Sequence, residues 1–150
     1  MRQTGSKCVI HSHGKAVNLI TQLLKSNLFE ISHQEYIKGV YDPFTGKNFN
    51  YEDTLAIPII ENQPHEAQLL PALDECLKTH QRSCAVLVRN HGLFVWGSTW
   101  EKTKIMAECI DYLVDLANDM IRQGIPLVKE DVIIKSDNPD EDYHHIFYSK

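Results

Sequence analysis

From Ser83 to Gln123 the chain reads as one unbroken pattern: two short apolar β runs, a tight turn between them, and a long amphipathic helix. Ser83 to Arg89 and Leu93 to Gly97 are rich in Val, Leu and Phe, and Asn90-His91-Gly92 is a turn signal whose glycine is free to take positive φ. Such a hairpin forces antiparallel pairing, so any sheet containing it cannot be wholly parallel. The helix is predicted over Thr99 to Gln123. Ser98 with Glu101 three residues later forms a capping box, and Gly124 followed by Pro126 is a stop signal. Ile105, Met106, Cys109, Ile110, Leu113, Leu116, Ala117, Met120 and Ile121 form its expected buried stripe.

Upstream, strands and helices alternate. Lys7 to Ile10 is β-prone, and Lys15 to Ser26 places Ala16, Ile20, Leu23 and Leu24 near one helical face. Phe29 to Ile31 and Glu35 to Tyr41 are short and mixed, and Asp42 to Gly46 carries the Pro and Gly of a turn. Leu55 to Ile60 reads as a buried strand. Asn62 or Gln63, ahead of Pro64, caps a helix that runs toward His80, with Pro71 kinking it or marking where it becomes regular. The expected fold class is α/β with a layered, mixed sheet. Residues 1–128 form one expected domain. Residues 129–150 form an acidic tail, in which Val132 to Ile134 alone looks sheet-like and SDNPDEDYHH is expected to be poorly ordered.

At 150 residues and 43% apolar composition, the chain is large enough to bury a core of its own. A net charge of −5 argues against nucleic acid as a partner. No apolar run approaches the roughly 20 residues of a membrane span, and the N-terminus lacks the apolar centre of a secretory signal, so a cytoplasmic location and no membrane partner are expected. Cys8, Cys76, Cys84 and Cys109 are scattered, which reads as reduced and mostly buried thiols.

Eight histidines make a chance H-x-H pair unremarkable. His11-Ser12-His13 gains weight from its context, because residues i and i+2 of an extended strand point to one face and can hold a cation between two rings. His91, at the hairpin apex, is the candidate third ligand. Three neutral imidazoles leave zinc a fourth position for water or substrate, as in a catalytic site. The competing pair His144-His145 faces opposite ways in an extended segment, and His33, His65 and His80 read as surface or capping residues. Glu35, after His33-Gln34 between two elements, is the carboxylate that stands out.

VIHSHGKAV, ISHQEYIKGV, AIPIIEN and CAVLVRNHGLFVWGSTWEKTK, in that order from about Lys7 to Gln123, resemble the methylthioribulose-1-phosphate dehydratases of the class II aldolase superfamily. The resemblance implies a three-layer α/β/α sandwich with a mixed, largely antiparallel sheet. It implies that His11, His13 and His91 bind one Zn2+ per subunit, with Glu35 as catalytic acid or base, and a homotetramer. The implied reaction is dehydration of the small-molecule substrate 5-methylthioribulose 1-phosphate to 2,3-diketo-5-methylthiopentyl 1-phosphate, a step of methionine salvage. Ten residues precede His11, and no Gly-rich loop opening a helix is present to grip phosphate, so an N-terminally truncated copy is expected. The alternatives are another class II sugar-phosphate aldolase or epimerase and a non-catalytic interaction protein.

Overall fold

The computed structural model describes residues 6–129. Val132 to Ile134, the polar tail and His144-His145 lie outside the described residues.

Strand β1 (Cys8–Ser12) leads through His13 and Gly14 into helix α1 (Lys15–Leu23). β2 (Leu28–Ser32) is followed by a 3-10 turn at Glu35–Gly39 and by a two-stranded ribbon, β3 (Tyr41–Asp42) and β4 (Lys47–Asn48). β5 (Thr54–Ile60) precedes a second 3-10 turn, Glu66–Leu69, which runs into α2 (Leu70–Thr79). β6 (Ala85–Val88), β7 (Gly92–Gly97) and α3 (Trp100–Arg122) complete the chain of elements.

Among the described residues, five strands form the main sheet in the order β1-β7-β6-β5-β2. Three of its four pairings are antiparallel, and only β5 with β6 is parallel. The hairpin expected around His91 is β6-β7, and it makes the sheet mixed. Side chains alternate between the faces of a strand, so β6 serves two cores at once. Ala85 and Leu87 join the cluster built on α1 and α3, whereas Val86 and Val88 join Leu69, Cys76 and Trp96 on the α2 side. All four are buried. Helices therefore cover both faces of the sheet, in the expected three layers.

Several local expectations are corrected. α3 is capped by Thr99, not Ser98: the Thr99 hydroxyl accepts from the Lys102 N–H at 3.3 Å. Its buried stripe also differs from the expected one. Ile105 is exposed and Val114 is fully buried, with Met106, Ile110, Leu113 and Ala117 inside as expected. Of the two expectations for Pro71, the second holds: it lies at the start of α2, marking where the helix becomes regular, and its missing N–H costs nothing there. The positive φ of the β6-β7 turn belongs to Asn90, at 55°, and not to Gly92. All four cysteines are free, with Cys76 and Cys84 buried.

Register decides what shares an end of the sheet. Ile60 pairs with Val88, Val88 with Gly92, and Ser12 with Leu93. One end therefore gathers the C-terminal ends of β1, β5 and β6 and the turn into β7. β2 runs the other way, and Ser32 pairs with Thr54 at the opposite end. β5 spans about 20 Å between them at ~3.3 Å per residue.

Candidate metal centre

His11, His13 and His91 converge at the first of these ends. His13 Nε2 lies 2.8 Å from His11 Nε2 and 3.0 Å from His91 Nε2. The three donor atoms all fall within 4.8 Å of one another, on rings that are half-buried, exposed and half-buried respectively.

Each ring is set by an element. His11 belongs to β1, opposite Phe94 of β7, and its imidazole stacks on that phenyl ring at 4.0 Å between centroids and 13° between planes. His13 follows the strand immediately. His91 rides the turn after Asn90, whose N–H donates to the Thr21 hydroxyl at 3.1 Å. Gly92 has a role other than the expected one. A Cβ there would strike the Ser12 carbonyl oxygen and meet the His13 ring, so a bare backbone lets the end of β1 come close to the hairpin.

Hydrogen bonds fix the tautomers. His11 Nδ1 lies 3.0 Å from the Leu93 carbonyl oxygen, which only accepts, so Nδ1 carries the proton. His91 Nδ1 lies 2.8 Å from Asn62 Oδ1, which also accepts the Gln63 N–H and is thereby identified as oxygen. Both Nε2 atoms are then bare lone pairs aimed at His13, which has one Nε2 proton at most to offer. A cation satisfies all three at once. Imidazole nitrogens with their far side hydrogen-bonded to a carbonyl are the ordinary ligands of zinc and similar borderline ions. Burial of the His91 ring, together with the neighbouring His13 and His11 rings, holds its pKa below the ordinary 6.5, with Glu66 pulling the other way. The neutral, ligating form is favoured.

Glu35 stands elsewhere. It opens the 3-10 turn after β2, past the end of the sheet opposite to the three rings, and pairs with Lys38 at 2.6 Å. Among the described residues no hydrogen bond or ion pair joins it to them. The preceding His33 has a φ of 54°, rests its ring on Tyr51 and has Nδ1 3.0 Å from the Ser32 hydroxyl.

Sequence reasoning missed the supporting groups. Asn62 reads as a helix cap and proves to be the anchor of His91. Its position in AIPIIEN, at the end of a strand parallel to the one entering the His91 turn, is the signal that could have found it. Nothing in the sequence points to Phe94 as a platform or to Leu93 as an acceptor.

Together, the mixed sheet, its two helical layers and three imidazoles at one strand end define an α/β domain with a group of three histidines that could hold a metal ion. Residues 1–117 match the Class II Aldolase and Adducin N-terminal domain family, and the chain belongs to it. A Caenorhabditis elegans protein named "Probable methylthioribulose-1-phosphate dehydratase" is 63% identical over 138 residues, which are 92% of this chain and 52% of that protein. The methylthioribulose-1-phosphate dehydratases of Danio rerio and Homo sapiens are 48% and 46% identical over 121 residues, covering 81% of this chain and 50% of each relative. The chain thus spans about half the length of the curated relatives it matches. Among solved structures, an L-fuculose 1-phosphate aldolase superposes with a TM-score of 0.57 at 16% identity, covering 82% of this chain and 50% of that one. That likeness bears on the fold.

Proposed function

We propose that this chain carries the metal half of a methylthioribulose-1-phosphate dehydratase, a hydro-lyase of methionine salvage, with zinc as its ion. The observation that carries the reading is the meeting of three Nε2 atoms at one sheet end, in a chain 63% identical to a relative bearing that name. His11, His13 and His91 hold the ion. When bound, zinc supplies a Lewis acid for the ketone and the neighbouring hydroxyl oxygen of a sugar phosphate, which acidifies the proton on the carbon between the ketone and the departing hydroxyl. Glu35 is the acid-base group: it takes that proton or delivers one to the leaving hydroxyl, a contribution typically about 10²–10⁴-fold. The phenyl ring of Phe94 holds His11 in place and keeps water from its covered face.

The placement of Glu35 shapes this proposal. Its carboxylate and the three rings lie past opposite ends of β5, so Glu35 serves the metal site of a second copy of the chain. The protein then acts as a homo-oligomer, and each site is shared. Substrate and location follow the same reading: a soluble sugar phosphate, handled in the cytoplasm. Among the described residues no helix is long and apolar enough to cross a membrane.

The test has two parts. One equivalent of zinc should bind the chain and be lost on His91→Ala. With zinc and 5-methylthioribulose 1-phosphate, a single diketone product is expected, and Glu35→Gln should keep the metal and lose the elimination. Two carbonyl fragments in place of the diketone would make the protein an aldolase, and full turnover by Glu35→Gln would remove that residue from the chemistry.

A further inference from the structure

The segment between β5 and α2 reaches the three imidazoles twice. Asn62 holds His91 by its Nδ1, and four residues later Glu66 Oε1 lies 3.8 Å from His11 Nε2, the donor atom itself. The two residues flank the centre from one side. Glu66 is placed by a folded element: it opens the 3-10 turn Glu66–Leu69, in which the Gln68 N–H donates to the His65 carbonyl at 2.9 Å and Leu69 is fully buried in the α2-side core. Its side chain is 63% exposed. Among the described residues no lysine or arginine pairs with it, and its carboxylate meets His11 of the imidazole cluster.

Three neutral imidazoles bring no charge to a divalent ion, and a centre made of them alone leaves both positive charges uncompensated. We propose that Glu66 is the anionic flank of this metal centre. Its carboxylate stands beside the three-ring donor set and raises its affinity for the dication through charge. The proposal rests on the reading of His11, His13 and His91 as ligands. It adds a residue outside that set and gives the β5-α2 segment a double task, with Asn62 orienting one ring and Glu66 supplying the field.

The experiment is zinc affinity, measured on the whole chain by competition with a chromophoric chelator. Wild type should bind one equivalent. Glu66→Gln should keep that stoichiometry and bind zinc about tenfold more weakly or worse, the size typical of lost outer-shell groups. The difference should narrow as salt is raised, because the charge is solvent-exposed. Glu66→Asp, which keeps the charge, should fall between the two. Equal affinity of Glu66→Gln and wild type overturns the proposal, and so does a loss that salt leaves unchanged. Absence of zinc binding by wild type overturns the three-histidine reading itself, which keeps the two failures distinguishable.

Discussion

Two of the three converging rings are held from behind, His11 by the Leu93 carbonyl and His91 by Asn62 Oδ1. His11 and His13 announce themselves by an i, i+2 spacing at a strand end, and His91 by sitting in a turn. Which nitrogen His11 and His91 present is decided by Leu93 and Asn62, through contacts made between strand ends that are distant in sequence. The consequence is measurable. Asn62→Ala should leave the fold intact and free the His91 ring, lowering zinc affinity by about 10–100-fold; isothermal titration would show it, and an unchanged affinity would mean that the turn alone sets the ring. Gly92 carries the same lesson. Its presence after His91 suggests a backbone bend, whereas its lack of a Cβ is used for close approach to Ser12 and His13. Asn90 supplies the bend, since a short polar side chain tolerates φ of 55° better than most.

Elements were legible where their periodicity was long and their ends were punctuated. α3 and the β6-β7 hairpin fall close to their expected bounds, because many residues vote for one period. The region from Glu35 to Asn48 was poorly specified, because a 3-10 turn and a two-residue ribbon hold their shape through tertiary contacts. Two arginines tie such parts to the sheet. Arg89, just past β6, donates to the carbonyls of Thr21, Leu24 and Ser26, to Asn27 Oδ1 and to Glu61, and so closes the C-terminal end of α1. Arg89→Ala should cost about 1–2 kcal/mol, since the part-buried carbonyls of Thr21 and Leu24 lose a charged donor; a lower denaturant midpoint would register it. Arg82 donates twice to Asp42 Oδ2, at 2.9 and 2.7 Å, linking the β3-β4 ribbon to the approach to β6. Burial pushes the Asp42 carboxyl upward, but Arg82 and the Phe44 N–H outweigh it and hold its pKa below the usual 3.8. A depressed carboxyl contributes stability that is complete above its unfolded value and is lost as pH falls through the folded one. Thermal midpoints should therefore drop on acidification below about pH 3.8, and Asp42→Asn should be less stable at neutral pH with a shallower acid dependence.

At the scale of the molecule, the order of strands sets what one copy can do alone. β1 and β2 lie at opposite edges of the sheet, and β2 runs against β5 and β6, so it delivers Glu35 past the end remote from the three rings. His11, His13 and Glu35 lie within twenty-five residues of each other in the sequence, yet nothing there signals that reversal, because strand direction emerges only from pairing. If a second copy supplies the carboxylate, two inactive variants should rescue one another. Glu35→Gln keeps the rings and lacks the acid, whereas His91→Ala keeps the acid and lacks a ring. Mixed in equal amounts, dissociated and reassembled at random, the two should restore about a quarter of the sites, since each needs one intact ring set and one intact carboxylate from different copies. Activity should then appear in the mixture and in neither parent, and it should depend on the two being allowed to exchange subunits. A mixture as silent as its parents would confine the chemistry to a single chain. Glu35 would then have to travel the length of β5 to reach it, and another carboxylate nearer the rings would be the group to pursue.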